Sequence, residues 1–136
     1  MSKLTGGCQC GAVRYEAEGP AAFSAHCQCV DCKKSSGAGH ATAAAWPETA
    51  VKFTGALKTY ASKADSGATA RRDFCPECGG RIAFRSDTFA GMVLLMGGSL
   101  DDPSQIAPGA AIYDKRHVTW DQFDSALPRP PGMPPQ

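Results

Sequence analysis

Seven cysteines in a chain of 136 residues fall into three tight clusters, and this grouping limits the possible folds more than any other feature. Cys8-Gln9-Cys10 is a C-x-C pair. Cys27-Gln28-Cys29-Val30-Asp31-Cys32 is a C-x-C-x-x-C triplet. Cys75-Pro76-Glu77-Cys78 is a C-x-x-C pair followed by Gly79-Gly80. An odd number of cysteines cannot all pair as disulfides, and core cysteines do not gather at one- and two-residue spacing beside glycines. Chelation explains the spacing: a tight turn aims two thiolates at one ion, about 2.3 Å from each sulfur for zinc. The glycines beside the pairs supply positive-φ positions for such turns, and Pro76 lowers the entropy cost of ordering its loop. The spacing matches none of the usual iron–sulfur runs. Nor does a βαβ pattern surround Cys75 and Cys78, as a redox dithiol would require. Zinc is the expected metal.

A closed tetrahedral site takes four ligands. Cys8, Cys10, Cys75 and Cys78 make one complete structural site that ties the start of the chain to its middle. Cys27, Cys29 and Cys32 then form a second site with one position over, and an open position marks a catalytic or ligand-binding zinc. Two ions per chain follow. A different partition joins Cys29 and Cys32 with Cys75 and Cys78 and strands the other three cysteines. His26, His40 or His117 could close the triplet site and make it purely structural, although His26 should point to the strand face opposite Cys27.

The rest of the chain reads as short strands. Apolar residues make up 43%, enough for a core, but 15 Gly and 10 Pro break any long element. Strands are expected at 11–18, 22–26, 38–46, 51–53, 57–60, 70–74 and 81–85, with a buried central strand at 91–96. Ser99 to Pro103 suggests the cap of a short helical turn. Two last extended pieces are expected at 112–113 and 118–120. Ser35, Ser36, Gly37 and Gly39 read as a flexible loop beside the open site. Residues 1–127 form one domain in this reading, and the proline-rich residues 128–136 a loose tail. No amphipathic helix of three or more turns emerges. The chain is therefore mostly β, with few or no long helices.

Gly7-Cys8-Gln9-Cys10-Gly11-Ala12-Val13-Arg14-Tyr15, the triplet followed by Ser36-Gly37, and Phe74-Cys75-Pro76-Glu77-Cys78-Gly79 occur in an order that resembles the glutathione-dependent formaldehyde-activating enzyme family, which includes centromere protein V. The resemblance runs from Gly6 to about residue 130. It implies a zinc-stabilised β-tent of antiparallel sheets. It also implies structural zinc at Cys8, Cys10, Cys75 and Cys78 and catalytic zinc at Cys27, Cys29 and Cys32. One departure is Gln28, where the family often has His; a proton-handling role there is lost, while metal binding survives.

The activity implied by the resemblance is that of a zinc-dependent carbon–sulfur lyase acting on glutathione and formaldehyde, or on their adduct S-(hydroxymethyl)glutathione. A three-thiolate zinc suits a thiol, because it is a weak Lewis acid for water yet favours a fourth sulfur. Lys33, Lys34, Arg71 and Arg72 are candidate partners for its charge or for substrate carboxylates. The alternative is a non-catalytic zinc module for protein interaction. A methionine sulfoxide reductase would need a late cysteine, and none follows Cys78. Seven thiolates and two dications take the formal charge from +1 to −2, which does not suit nucleic acid. No stretch reads as a signal peptide or membrane span, so the expected address is cytoplasmic, with no membrane partner. Exposed strand edges make a homodimer an open expectation.

Overall fold

The computed structural model describes residues 3–133. Two sheets carry almost all of the regular structure. The smaller contains β1 (Lys3–Gly7), β2 (Arg14–Glu18) and β5 (Val51–Thr54) in the order β1-β2-β5, all antiparallel. The larger contains β3 (Phe23–Cys27), β4 (Ala41–Pro47), β6 (Lys58–Lys63), β7 (Thr69–Phe74), β8 (Arg81–Ser86), β9 (Met92–Met96) and β10 (Ala111–Ile112). Its order is β10-β3-β4-β9-β8-β7-β6, and only the short β10–β3 pairing is parallel. One helix, α1 (Val30–Ser36), follows β3. The architecture is thus mostly β with antiparallel sheets, as the turn-rich composition requires.

The strand patterns account for the packing. In β2, Tyr15 and Ala17 point inward while Arg14, Glu16 and Glu18 face out, the period-2 alternation of a sheet with one wet face. The opposing layer supplies Ala44, Trp46, Ile82, Ala83, Val93 and Leu95, which close on Leu4, Val13, Tyr15 and Ala17. Trp46 is fully buried and its indole N–H donates to the Gly19 carbonyl at 3.1 Å, so its polar atom is satisfied. The Tyr15 hydroxyl lies 2.6 Å from Ser99 Oγ, which itself donates to the Met96 carbonyl at 2.7 Å. Burial pushes the Tyr15 phenol up to about 12. The run Met92–Met96 sits between β4 and β8, the central position expected of a strand apolar on both faces.

One strand was not foreseen from the sequence, and three expectations need correction. Lys3–Gly7 is a strand, although two of its five residues are glycine; Gly6 lies so close to the Tyr15 hydroxyl that a Cβ there would overlap it. Ser35 and Ser36 are helical, and Gly37 closes α1 as a left-handed cap at φ 71°, its N–H donating to the Lys33 carbonyl at 2.9 Å. Residues 118–120 are turn rather than strand, and the last extended piece ends at Ile112, because Tyr113 adopts φ 58°. Finally, the proline-rich stretch is tied down as far as Gly132. The carbonyls of Pro128, Gly132 and Pro130 accept from the N–H groups of Ala111, Tyr113 and Asp114 at 2.9, 3.1 and 3.0 Å. Proline cannot donate to a ladder, but its carbonyl still accepts. Residues 134–136 of the expected tail lie outside the described residues.

Two glycines test how tightly the turns are specified. A Cβ on Gly55 (φ +95°) would overlap the Ala12 carbonyl, whereas one on Gly67 (φ +89°) would have open space around it. Gly67→Ala should cost only the left-handed penalty, about 1–2 kcal/mol. Gly55→Ala should lose clearly more, since overpacking adds roughly 1–3 kcal/mol. Urea denaturation of the two variants checks this, and equal losses would contradict the packing described for Gly55.

Candidate metal centres and the adjoining groove

The four cysteines expected to form a closed site meet in space, with their sulfurs all within 4.8 Å of one another. Cys8 Sγ is 3.6 Å from Cys10 Sγ, and Cys10 Sγ is 3.8 Å from Cys75 Sγ. Those separations match the edge of a tetrahedron of sulfurs each about 2.3 Å from a central zinc, which is about 3.8 Å. The backbone supports the sulfurs as local turns dictate. The Val13 N–H donates to Cys8 Sγ at 3.3 Å, and the Glu77 N–H donates to Cys75 Sγ at 3.4 Å. The Gly79 N–H returns to the Cys75 carbonyl at 2.9 Å with φ +76°, the tight knuckle for which Gly79 was singled out. A Cβ on Gly80 would lie 3.3 Å from Cys8 Cβ and 3.4 Å from Cys78 Sγ, so this glycine lets the two pairs approach. Hydrogen bonding from the Val13 N–H is the largest effect on Cys8 and brings its thiol down to about 6. Cys78 is lowered in the same way by the Cys10 and Gly80 N–H groups. Amides aimed at sulfur favour the thiolate, the form that binds metal.

Cys27, Cys29 and Cys32 form a second group within the same 4.8 Å span. The partition into four and three is therefore the one the fold brings together, and the ribbon-like alternative is not. The local chain explains the convergence. Cys27 ends β3, Cys29 is the N-cap of α1, and Cys32 lies in its first turn. Cys29 Sγ accepts from the Cys32 N–H at 3.3 Å, taking the place usually held by a Ser or Asp oxygen. Hydrogen bonds from Cys27 and Cys32 hold the Cys29 thiol far below its ordinary range, while those same contacts push Cys27 up. Three sulfurs sharing protons this closely form a donor set suited to a soft cation.

No histidine nitrogen among the described residues joins either sulfur group. His117 instead bonds Gln28 Oε1 through Nδ1 at 2.6 Å, and Gln28 Nε2 donates to Asp114 Oδ1 at 3.2 Å. Gln28 is wholly buried, so the residue between the first two cysteines of the triplet anchors the segment after β10. His26 and His40 stack edge-on with ring centroids 4.8 Å apart, and both lie about Phe123. His26 Nδ1 meets Thr42 Oγ1 and His40 Nδ1 meets Asp121 Oδ2, each at 2.7 Å. Burial, followed by the neighbouring His40, lowers the His26 pKa.

The cations divide clearly. Arg71 pairs outward with Asp87 at 3.2 Å, and Lys33 Nζ donates to the Arg116 carbonyl at 2.7 Å. Arg72 is only 7% exposed, lies 5.1 Å over the Phe84 ring, and acts electrostatically on both Cys29 and Cys32. Arg81, not singled out in the sequence, donates from Nη1 to the Ser35 carbonyl at 3.1 Å at the end of α1. Nothing in its strand setting marks it, because the pairing spans 46 residues. An open groove of about 710 Å³ is lined by Cys8, Gly80, Arg81, Ser36, His40 and Ala41, among others. The triplet sulfurs do not line it, but Ala41 is the register partner of Cys27 and Ser36 is the last residue of the helix that carries Cys32.

Against known proteins, the family model described as glutathione-dependent formaldehyde-activating enzyme matches residues 3–116. No curated protein sequence matches the chain. Among solved structures, the chain is similar to a Rhodobacter sphaeroides protein from a structural genomics programme. The TM-score is 0.59 at 25% identity, covering 76% of this chain and 91% of that one. Among the described residues, no helix is long and apolar enough to cross a membrane.

If the four-sulfur group is the structural site, Cys75→Ala should abolish a cooperative thermal transition. Structural zinc in small domains contributes about 10–16 kcal/mol of apparent binding free energy, and Cys75 is the wholly buried ligand. Circular dichroism melts, alone and with a strong chelator, make the comparison. Unchanged melting of the variant would remove the structural role.

Proposed function

The chain belongs to the glutathione-dependent formaldehyde-activating enzyme family, and from that premise we propose that it is a zinc-dependent carbon–sulfur lyase making and breaking the bond between a thiol and formaldehyde. The substrate is S-(hydroxymethyl)glutathione or a close thiol adduct. One observation carries the reading: Cys27, Cys29 and Cys32 gather three sulfurs, one ligand short of a closed tetrahedron, with no histidine in the fourth place. That ligand count favours an enzyme over a purely structural zinc module, in which a side chain would complete the set.

A zinc ion held by the three thiolates would supply a soft Lewis acid with a position open to a fourth sulfur. The chain's own residues account for the rest of the site. Cys29 serves twice, as ligand and as the cap that fixes the first turn of α1, so the ligand spacing and the helix are set together. Arg72 places a buried guanidinium near Cys29 and Cys32, where it opposes the accumulation of negative charge on sulfur. Gln28 holds the segment from Asp114 to His117 beside the triplet. Thiol addition consumes no net proton: the thiol loses one and the hydroxymethyl oxygen gains one. His40, fixed through Nδ1 by Asp121, keeps Nε2 to carry that proton at the groove.

Zinc analysis and calorimetry with glutathione test the proposal. The wild-type chain should reconstitute with two zinc ions and bind glutathione. Cys29→Ala should keep a cooperative fold, lose one zinc and lose thiol binding. One zinc per chain after full reconstitution, or a Cys29→Ala variant as unfolded as Cys75→Ala, would sink it.

A further inference from the structure

We infer that the Tyr113 hydroxyl donates a hydrogen bond to the oxygen of the hydroxymethyl group made or broken at the cysteine triplet, and so is a further catalytic residue. The inference rests on the thiol-adduct reading given above and adds to it the group that stabilises charge developing on oxygen.

Among the described residues, Tyr113 is the one residue other than glycine with a positive φ, 58°. The left-handed region is unfavourable for an aromatic residue, and such strain persists only where the surroundings over-determine it. Here they do. The N–H groups of Tyr113 and Asp114 donate to the Gly132 and Pro130 carbonyls at 3.1 and 3.0 Å, and the Arg116 N–H returns to the Tyr113 carbonyl at 2.9 Å. Asp114 Oδ1 accepts from Gln28 Nε2 at 3.2 Å and from Arg129 Nε at 2.9 Å. On the other flank, the Ile112 carbonyl accepts from the Gln28 N–H at 3.1 Å, and Ile112 is the register partner of Cys27. Both chain neighbours of Tyr113 are therefore bonded to Gln28, the residue between Cys27 and Cys29. The strained backbone is pinned to the triplet itself.

The phenol lies within electrostatic reach of Cys27, Cys29 and Cys32. Other polar groups around the triplet are already engaged. Gln28 holds Asp114 and His117, Lys33 holds the Arg116 carbonyl, and Arg72 is buried over the Phe84 ring. The Tyr15 hydroxyl is taken by Ser99, whereas the hydroxyl of the partly buried Tyr113 has no partner among the described residues. Lys115 Nζ lies 5.8 Å over the Tyr113 ring and steadies it. Burial first, and then Cys27, Cys29 and Asp65, push the phenol above its ordinary pKa, so it stays protonated and remains a donor. When the thiol sulfur attacks formaldehyde, a carbon–sulfur bond forms and the carbonyl π pair moves onto oxygen. That oxygen takes the proton the thiol gave up, and the reverse reaction retraces these steps. Tyr113 gives up no proton, so the proton carried by His40 is not duplicated. Its hydrogen bond strengthens as negative charge grows on oxygen, which favours the transition state over the bound thiol.

The test compares zinc-reconstituted wild type with Tyr113→Phe, which keeps the ring and loses only the hydroxyl. Metal analysis accompanies each preparation. The variant should retain two zinc ions and bind glutathione with unchanged affinity by calorimetry. Its kcat for joining glutathione to formaldehyde, measured above the spontaneous rate, should fall about a hundredfold, the effect of removing one oxyanion donor. A second readout is independent of turnover. The chain has 3 tyrosines, so carbon-13 at the tyrosine Cζ gives one NMR signal for each, and the signal absent from Tyr113→Phe belongs to Tyr113. Adding formaldehyde to the glutathione complex should move that signal and leave those of Tyr15 and Tyr60 in place. Unchanged kcat in Tyr113→Phe, or a Tyr113 signal that formaldehyde does not move, would overturn the inference and leave the lyase reading standing. Loss of a zinc ion from Tyr113→Phe together with the fall in kcat would overturn it in favour of a structural Tyr113. A wild type that neither binds glutathione nor accelerates the reaction would overturn both readings.

Discussion

Donor sulfurs from both sheets converge at the four-cysteine junction, and on the reading proposed above the fold depends on a metal held there. Cys8 and Cys10 follow the smaller sheet's first strand, and Cys75 and Cys78 follow β7 of the larger one, 65 residues on from Cys10. Closing a loop of that length is entropically expensive, and a metal clip restores most where the loop is long. The core beneath is built from small side chains, with Ala17, Ala44 and Ala83 around the few large ones, Trp46, Tyr15, Ile82 and Leu95. Alanines bury little apolar area each, so the sheets need a fixed separation as much as a hydrophobic drive. The N–H groups of Val13 and Glu77, aimed at sulfur, show that the backbone turns are shaped around this junction.

The triplet reverses that logic. There the chain contributes one sulfur fewer, and the surroundings carry positive charge instead of a fourth ligand. Arg72 and Arg81 come from β7 and β8, strands on the far side of the sheet order from β3, yet both act on Cys32.

Much of this was legible in the cysteine spacing, because chelation is a local rule: residues one or two apart converge whatever the rest of the chain does. The strand alternation at Tyr15 and Ala17 and the doubly apolar run at 92–96 were readable for the same reason. The short helix was hidden because its start signal is a sulfur, Cys29, and not one of the usual capping oxygens. Lys3–Gly7 was hidden because its glycines answer to neighbours distant from any local pattern, Gly6 to the Tyr15 side chain and Gly7 to the Val13 carbonyl. The grouping of His26, His40, Asp121 and Phe123 spans more than eighty residues of sequence, and no periodicity encodes such a meeting. Charge alone could not separate Arg71 from Arg72; the strand's alternation sends one to Asp87 and the other toward the sulfurs.

The proline-rich segment has a consequence of its own. By accepting from Ala111, Tyr113 and Asp114 it lies along β10, the outermost strand of the larger sheet. A conventional strand in that position would present a fresh row of donors to the next molecule, and the sheet could grow from chain to chain. Prolines 128, 130 and 131 offer no N–H, so the ladder that reaches them ends there. The proline-rich stretch therefore acts as a terminator. A chain shortened at residue 127 would keep every cysteine and nearly all of its core, yet it would expose the kind of edge from which insoluble assemblies propagate.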